Sequence, residues 1–249
     1  MILRVRNIIK EFEVEGGFFY KAGTVTALDR ISFSMNFLDT LGIVGESGSG
    51  KTTLAKIILK LIFPTSGEVV FDNTLINNFR KDVQIIFQNP YNSLNPKMRI
   101  IDAISEPLRI HKIVPPGEVK GKVIQLLNMV GLTEASLYRY PRAFSGGERQ
   151  RICIARALST EPKFLVLDEP VSSLDLTIQS RLLDLFREIK EKMKLTYIFV
   201  SHNLAVVKQM SNSVIVMKDG KIVEAGSPEE IFKDPRHPYT RLLLEASRG

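Results

Sequence analysis

A glycine-rich stretch, GESGSGKT at residues 45–52, constrains the fold of this chain more than any other feature. The apolar run TLGIVG leads into it, and a helical pattern follows over residues 51–62 until Pro64 ends it. Glycine lacks a Cβ atom, so this stretch brings bare backbone amides close together between a strand and a helix. The order strand, glycine loop, helix predicts an α/β fold with the loop at the end of a buried strand.

The glycine loop matches the pattern that cradles phosphate groups, and we call residues 45–52 the phosphate loop. Its backbone amides would surround the phosphates, Lys51 would reach the terminal ones, and the Thr52 hydroxyl would bind Mg²⁺. The alternative is a strand-to-helix turn without a ligand, which the placement between strand and helix disfavours. The predicted binding residues here are Gly45, Ser47, Gly48, Ser49, Gly50, Lys51, Thr52 and Thr53.

Composition excludes several classes of protein. The 249 residues are 44% hydrophobic and 24% charged, as in ordinary globular proteins. No run of about 18 apolar residues is present and MILRVRNIIK is too charged for a signal peptide, so we expect neither a membrane span nor secretion. A single cysteine, Cys153, excludes an internal disulfide and a multi-cysteine metal site. The net charge of +7 would suit an anionic partner, but the basic residues are scattered.

Apolar runs separated by helical patterns indicate a mainly parallel sheet that is buried on both faces. Residues 1–40 alternate apolar and polar positions instead, which predicts antiparallel strands. Residues 89–157 contain helical patterns interrupted by NPYNSLNP and VPPGE, and they indicate an inserted helical subdomain. We predict one domain over residues 1–249, with a core of residues 1–88 and 158–226, the helical subdomain 89–157, and a C-terminal helical tail, 227–249.

The segment AFSGGERQ places two glycines in the first turn of a predicted helix. Ser145 and Glu148 fit a capping box, in which each side chain bonds the backbone amide of the other. Gly146 and Gly147 need another reason, because glycine in a helix costs about 1 kcal/mol relative to alanine. Exposed amides at a helix N-terminus bind anions, so we predict that a phosphate is brought to Ser145, Gly146 and Gly147.

Polar residues follow two of the apolar strands. KFLVLDE ends in Asp168 and Glu169, where one carboxylate can hold Mg²⁺ beside a phosphate loop and the next can polarise water. TYIFVSH ends in His202, which could sense a terminal phosphate. The alternatives are that Asp168 caps a helix and that His202 is a structural residue.

Together, GESGSGKT, FSGGERQ and FLVLDEP resemble the ATPase subunit of ABC transporters in order and spacing along nearly the whole chain. The resemblance implies a P-loop fold of the ABC-ATPase type, with an antiparallel β subdomain and an inserted helical subdomain. It implies ATP and Mg²⁺ as cofactors. It also implies that two subunits face head to tail, so that the glycines at 146 and 147 contact the γ-phosphate held by the other subunit.

The same resemblance assigns roles to three further residues. Gln88, after VQIIF, is similar to the glutamine that binds Mg²⁺ and couples the site to the helical subdomain; the alternative is a polar strand end. Asp175 in SSLD is similar to the aspartate that crosses the dimer interface, with a helix cap as the alternative. Tyr20, or Phe19 beside it, is the candidate for stacking on adenine, although a core or surface aromatic is the alternative.

Three segments, FQNPYNSLNPKM, ISEPLRIH and DPRHPYTRLLLEA, resemble the oligopeptide and dipeptide branch of importers, whose relatives also carry nickel or oligosaccharides. Many relatives extend into a cysteine cluster that this sequence lacks, which excludes an iron–sulfur role here and adds weight to nickel. Phe144 and Glu148 replace the usual Leu and Gln of the family pattern, and the carboxylate of Glu148 is expected to weaken ATP closure modestly.

ATP hydrolysis that powers peptide import is therefore the leading hypothesis, with Glu169, His202 and Gln88 as catalytic residues and Thr52, Gln88 and Asp168 as metal ligands. The implied partners are two integral-membrane permease subunits, a second ATPase subunit and, indirectly, an extracytoplasmic solute-binding protein, with the chain at the cytoplasmic face of the membrane. Nucleic acid is not an expected partner. The rival is a soluble ABC ATPase acting on DNA or ribosomes, and a regulatory subunit without turnover is disfavoured.

Overall fold

The computed structural model describes residues 1–14, 23–88, 93–172 and 174–246. Their contacts divide the chain into two units. The first unit comprises Met1–Ile76 and Thr196–Gly249, and the second comprises Asn77–Leu195. The subdomain boundaries given above are a different division and remain a prediction.

The first unit begins with three antiparallel strands. They are β1 (Leu3–Val14), β2 (Gly23–Met35) and β4 (Ser66–Phe71). Strand β1 is central, because Leu3 pairs with Met35 on one side and with Phe71 on the other. The antiparallel strands predicted from the alternating pattern of residues 1–40 are thus confirmed.

A second set of strands in the first unit carries the phosphate loop. It consists of β3 (Thr40–Val44), β7 (Thr196–Val200), β8 (Ser213–Lys218) and β9 (Lys221–Gly226). Strand β3 lies between β7 and β8 and is parallel to both. All residues of β3 and β7 are buried, as expected for the apolar runs of a parallel sheet.

The last strand pattern, SVIVMKDGKIVEAG, forms a hairpin of β8 and β9. Asp219 and Gly220 at its turn both have positive φ, 48° and 74°. Two successive positive φ angles suit the tight turn that follows the right-handed twist of paired strands, and Asp-Gly is a preferred sequence for it.

Four helices described in the first unit are α1 (Lys51–Ile58), α7 (Leu204–Met210), α8 (Pro228–Lys233) and α9 (Pro238–Ala246). Helix α1 is shorter than the predicted 51–62. Lys60 adopts φ 54°, its amide bonds the Ile57 carbonyl at 2.9 Å, and the Leu61 amide bonds the Lys56 carbonyl at 2.9 Å. This left-handed C-terminal turn ends the helix several residues before Pro64.

The second unit combines two parallel strands with helices. Its elements are α2 (Phe79–Asp82), β5 (Val83–Ile86), α3 (Ile100–Ile110), α4 (Val119–Met129), α5 (Gly146–Leu158), β6 (Phe164–Asp168) and α6 (Leu176–Met193). Strand β5 pairs in parallel with β6, with Ile86 opposite Leu167. The helical patterns between residues 89 and 157 correspond to α3, α4 and α5.

Helix α5 is held by its arginines as well as by its apolar face. Arg151 donates to the Val130 carbonyl at 2.7 Å, and Arg156 donates to the Ser93 carbonyl at 2.7 Å. Between these arginines, Cys153 is buried, and burial raises the pKa of its thiol to about 12. The thiol therefore stays protonated at physiological pH and packs as a small apolar group.

Over the parts of the chain that the structure describes, each helix is too short or too polar to cross a lipid bilayer. This agrees with the absence of a long apolar run in the sequence.

Gly42 in β3 lies where α7 packs closest to the strand. A Cβ atom at Gly42 would overlap Val207 and would lie 2.5 Å from the Ser211 hydroxyl. We predict that Gly42→Ala lowers the free energy of unfolding by about 1–3 kcal/mol, because this contact cannot accept extra volume. Urea unfolding followed by circular dichroism measures the change. Gly23→Ala is the control, because its Cβ would meet nothing within 4 Å; equal midpoints for the two variants would contradict the packing.

Candidate functional site

The phosphate loop in the first unit joins the end of β3 to the start of α1. Gly45 has φ 153°, and a Cβ there would overlap the Met217 carbonyl of β8, so the loop begins in close contact with the neighbouring strand. Gly48 has φ 84°, and nothing lies within 4 Å of a Cβ built on it. The loop is therefore anchored at its base, and its glycine tip faces open space that a phosphate could fill.

Lys51 is buried inside this loop. Its ammonium donates to the carbonyls of Gly45 and Glu46, each at 2.7 Å, with a longer contact of 3.4 Å to the Ser49 hydroxyl. Only 6% of Lys51 is exposed, so its charge is largely shielded from solvent. A buried ammonium held in this way is positioned to contact an anion that enters the loop.

The first turn of α1 starts at the end of the same loop. Its N-cap is Gly50, and among the described residues no side chain caps this turn and none in it is acidic. Ser47 and Thr52 are exposed, and Thr53 is half-buried. An uncapped helix N-terminus beside a buried lysine fits a phosphate group.

His202 lies at the same sheet edge as the phosphate loop. Strand β7 is the parallel neighbour of β3, with Val200 opposite Ile43, and the Ser201 amide bonds the Ile43 carbonyl at 3.1 Å. His202 follows and is exposed, and Asn203 then caps α7 by accepting from the amides of Ala205 and Val206. The expected placement at the ends of parallel strands is found, and the catalytic role of His202 remains a prediction.

The second unit brings Gln88 and Glu169 together. The Gln88 side-chain amide donates to the Glu169 carboxylate at 2.9 Å and to the Ser172 hydroxyl at 3.2 Å. Strand β5 ends at Ile86 and β6 ends at Asp168, and because the two strands are parallel, both residues follow at the same edge. The sequence predicted these two residues separately, and the direct contact between them was not anticipated.

Glu169 itself has an unusual backbone conformation. Its φ is 48°, and the Ser172 hydroxyl donates to its carbonyl at 3.1 Å. Positive φ is uncommon for a residue with a side chain, and where it persists it is often associated with function. Asp168 before it is only 7% exposed and ends a fully buried strand. Two carboxylates in different environments are thus held on one short segment.

The N-terminus of α5 has the expected capping box. The Glu148 carboxylate accepts from the Ser145 amide at 2.8 Å and from its hydroxyl at 2.9 Å, while the Ser145 oxygen accepts from the Glu148 amide at 3.3 Å. These hydrogen bonds lower the pKa of Glu148. The carboxylate is therefore ionised at neutral pH and is engaged by Ser145.

The two glycines of α5 differ in their surroundings. A Cβ on Gly147 would lie 2.9 Å from a methyl group of Ile178 in α6, so close packing of the two helices requires glycine there. A Cβ on Gly146 would lie 3.6 Å from Leu174, which is ordinary contact. The inference that neither glycine has a local explanation is thus wrong for Gly147 and stands for Gly146. No sequence pattern indicates this contact, because the residues of α5 do not show which helix will pack against it.

Asp175 is the N-cap of α6, where its carboxylate accepts from the Ile178 amide at 2.9 Å. The helix cap that the sequence left as an alternative is thus present, and the dimer-interface role stays a prediction. Tyr20 and Phe19 lie outside the described residues, as do four residues of FQNPYNSLNPKM, 89–92.

Two residues near these sites were not selected from the sequence. Ser172 accepts from Gln88 and donates to the Glu169 backbone. Tyr239, in the segment HPYT of the C-terminal tail, accepts a hydrogen bond from the Glu46 amide at 3.1 Å. The tail had served only as a marker of the importer branch, because a contact between residues so distant in sequence has no local pattern.

The described residues contain no group of three or more His, Cys, Asp and Glu side chains that could by itself hold a metal ion. The candidate metal ligands are instead a hydroxyl, a side-chain amide and one carboxylate. Thr52 belongs to the first unit, and Gln88 and Asp168 to the second.

Comparison with known proteins places these features in a family. Residues 28–172 match the family model described as ABC transporter. The chain is 42% identical over 254 aligned residues to the glutathione import ATP-binding protein GsiA of Escherichia coli K12, and equally to GsiA of Shigella flexneri. Each alignment covers 98% of this chain and 41% of the relative, so the chain spans less than half the length of these proteins.

Solved structures of ATP-binding cassettes have the same fold as this chain. A dimeric post-hydrolysis structure of the ATP-binding cassette MJ0796, bound to ADP and Pi, has a TM-score of 0.77 and 26% identity, covering 91% of this chain and 99% of that one. CbiO1 from Clostridium perfringens, part of the ABC transporter complex cbiONQ, has a TM-score of 0.78 and 27% identity, covering 98% of each chain. The α/β fold of the ABC-ATPase type expected from the sequence is thus confirmed, and the chain belongs to the ABC transporter family as one of its ATP-binding cassettes.

Proposed function

We propose that this chain hydrolyses ATP to drive the import of a peptide-like solute through separate membrane-spanning subunits, with the chain at the cytoplasmic face of the membrane. The observation that carries the proposal is the phosphate loop, in which a buried Lys51 lies across two loop carbonyls beside an uncapped helix N-terminus. A buried ammonium beside a helix N-terminus without a side-chain cap suits the polyphosphate of a nucleoside triphosphate.

Hydrolysis needs a group that orients and polarises water, and Glu169 is the candidate. Gln88 and Ser172 fix the carboxylate and backbone of this segment through the contacts described above. A carboxylate held in one orientation loses little entropy when it accepts a proton from the attacking water. His202, at the edge where the phosphate loop begins, is assigned to contact the terminal phosphate.

For Mg²⁺ we retain Thr52, Gln88 and Asp168 as ligands. Their hydroxyl, amide and carboxylate oxygens are the donor types that Mg²⁺ prefers, together with phosphate oxygens and water. When bound, the ion would neutralise charge on the phosphates.

We further propose that two cassettes act as a pair. The MJ0796 cassette is dimeric in its ADP-bound and Pi-bound structure, which supports a paired arrangement here. Ser145, Gly146 and Gly147 would bind the terminal phosphate held by the other cassette, and Asp175 would lie at the interface. Gly146 supports this role, because no local packing in the described second unit requires a glycine there.

The proposed solute class is supported by the names of the relatives and by the resemblance of the tail to the peptide branch of importers. GsiA is named as a glutathione import protein, and glutathione is a tripeptide. At 42% identity over 98% of this chain, a peptide-like solute is the proposal, and nickel and oligosaccharides are the competing outcomes. The partners would be two permease subunits, a second cassette, and a solute-binding protein that acts indirectly.

The partner proposal is tested by purifying the tagged chain from detergent-solubilised membranes and identifying what accompanies it by mass spectrometry. We expect two multi-spanning proteins and a second cassette. Uptake of labelled glutathione, dipeptides, nickel and oligosaccharides into cells with and without this chain then identifies the solute. Recovery with DNA or ribosomes and no membrane protein would overturn the import proposal and leave only the nucleotide chemistry.

Lys51→Ala removes the buried ammonium from the phosphate loop. We predict at least about a tenfold increase in the Kd for ATP, because hydrogen bonds to charged groups contribute about 1.5–3 kcal/mol each. Isothermal titration calorimetry measures the Kd. Lys56→Ala is the control, since Lys56 is exposed on the same helix. An unchanged Kd for Lys51→Ala would show that the loop does not bind the nucleotide.

Glu169→Gln keeps the shape of the side chain and removes its basicity. We predict that the variant binds ATP normally and hydrolyses it about 100-fold more slowly or worse, because a general base contributes about 10²–10⁴-fold. Phosphate release under saturating ATP measures this rate. Glu188→Gln, an exposed change in the same unit, should retain full turnover. Turnover of Glu169→Gln at the unmodified rate would remove Glu169 from this role.

A further inference from the structure

We propose that Tyr239, in the C-terminal tail, is a positioning residue of the nucleotide site that fixes one peptide group of the phosphate loop. The proposal rests on the proposed function, since it assumes that this loop binds ATP. Tyr239 would not touch the nucleotide. It would act through the peptide that joins Gly45 to Glu46.

Both polar groups of this peptide are engaged, from opposite sides. Its N–H, which belongs to Glu46, donates to the Tyr239 hydroxyl at 3.1 Å. Its carbonyl, which belongs to Gly45, accepts from the Lys51 ammonium at 2.7 Å. A rotation of the peptide would break both hydrogen bonds, so the tyrosine and the lysine each stabilise the orientation that the other requires.

Tyr239 is itself held firmly. Only 5% of the residue is exposed, its ring lies 4.9 Å from the Lys218 ammonium, and its amide donates to the His237 ring at 3.2 Å. Burial raises the pKa of its phenol, so the hydroxyl is neutral at physiological pH. A neutral hydroxyl oxygen accepts the bond from Glu46 without adding negative charge next to the phosphates.

Glu224 of strand β9 anchors the tail just before α9. Its carboxylate accepts from the amides of Arg236 at 2.8 Å and of His237 at 3.1 Å. Burial acts to raise the pKa of Glu224, but the neighbouring Thr240 hydroxyl and the hydrogen bonds from these two amides outweigh it, and the pKa is lowered. Glu224 is therefore ionised at neutral pH and fixes the residues immediately before α9.

The hydrogen bond to Tyr239 would lower the free-energy cost of binding ATP, because it orders the phosphate loop in advance. Without the hydroxyl of Tyr239, the Glu46 N–H loses its partner, and the peptide that supports Lys51 samples more orientations. ATP would then have to order the loop on binding, which lowers affinity. The C-terminal tail thus preorganises a loop from which it is 193 residues distant in sequence.

The test compares the Kd for ATP of the unmodified chain, Tyr239→Phe and Tyr138→Phe. Tyr239→Phe keeps the ring and removes only the hydroxyl, and we expect a Kd about threefold to tenfold higher, as for the loss of one hydrogen bond. Tyr138→Phe, at an exposed tyrosine of the second unit, should leave the Kd unchanged. A Kd for Tyr239→Phe equal to that of the unmodified chain overturns the proposal.

Two further readouts separate positioning from general stability. The Glu46 amide, followed by NMR, should exchange with solvent faster in Tyr239→Phe, while the nucleotide-free melting temperature falls by no more than about 2–4 °C, as for the loss of one hydrogen bond. Glu224→Gln should also weaken ATP binding, but not in the Tyr239→Phe background, because both changes act through one contact. Unchanged exchange at Glu46, or multiplicative effects of the two substitutions, would contradict the mechanism.

Lys51→Ala, measured in parallel, tests separately whether the phosphate loop binds ATP and whether Tyr239 supports that binding. If Lys51→Ala loses ATP affinity while Tyr239→Phe does not, the inference about the tail fails and the proposed function stands. If Lys51→Ala binds ATP as the unmodified chain does, the phosphate loop is not the nucleotide site and both fail.

Discussion

The burial of strand β3 between two parallel neighbours is the constraint on which the first unit depends. Strand β3 is paired with β7 on one side and with β8 on the other, and all five of its residues are buried. The close approach of α7 at Gly42 closes the strand's face. The phosphate loop leaves from the end of β3, and the segment with His202 leaves from the adjacent end of the parallel strand β7. A loop of glycines can serve as a binding site only because its base is immobilised in this way.

In the second unit, too, parallel strands bring candidate site residues to one edge of a sheet. Parallel pairing of β5 with β6 brings Gln88 and Glu169 to one edge, and the amide of Gln88 then orients the carboxylate. Gln88 begins the segment that leads toward α3 and the helical part of the unit. A displacement of that segment would therefore change the orientation of the carboxylate directly. The coupling of the site to the helical subdomain through Gln88 remains a prediction, and this hydrogen bond supports it.

Features with local chemical causes could be predicted from the sequence, and features created by distant contacts could not. The phosphate loop, the buried strands and the capping box of Ser145 each depend on neighbouring residues, and all three are present. The early end of α1 was missed because Lys60, not a glycine, takes the left-handed conformation there. The contacts of Gly147 with Ile178 and of Tyr239 with Glu46 depend on which segments meet in space, and no residue pattern encodes that.

The buried thiol of Cys153 has a consequence for biophysical work on this cassette. It is the only cysteine in the sequence, and its raised pKa and burial keep it protonated inside α5. Maleimide and thiol-directed nitroxide reagents react with a nucleophilic thiolate, so we expect them to leave Cys153 unlabelled in the folded chain. Cysteines introduced on the surface can then carry fluorophores or spin labels without a cysteine-free background, and slow modification of Cys153 will report the opening of the helical core.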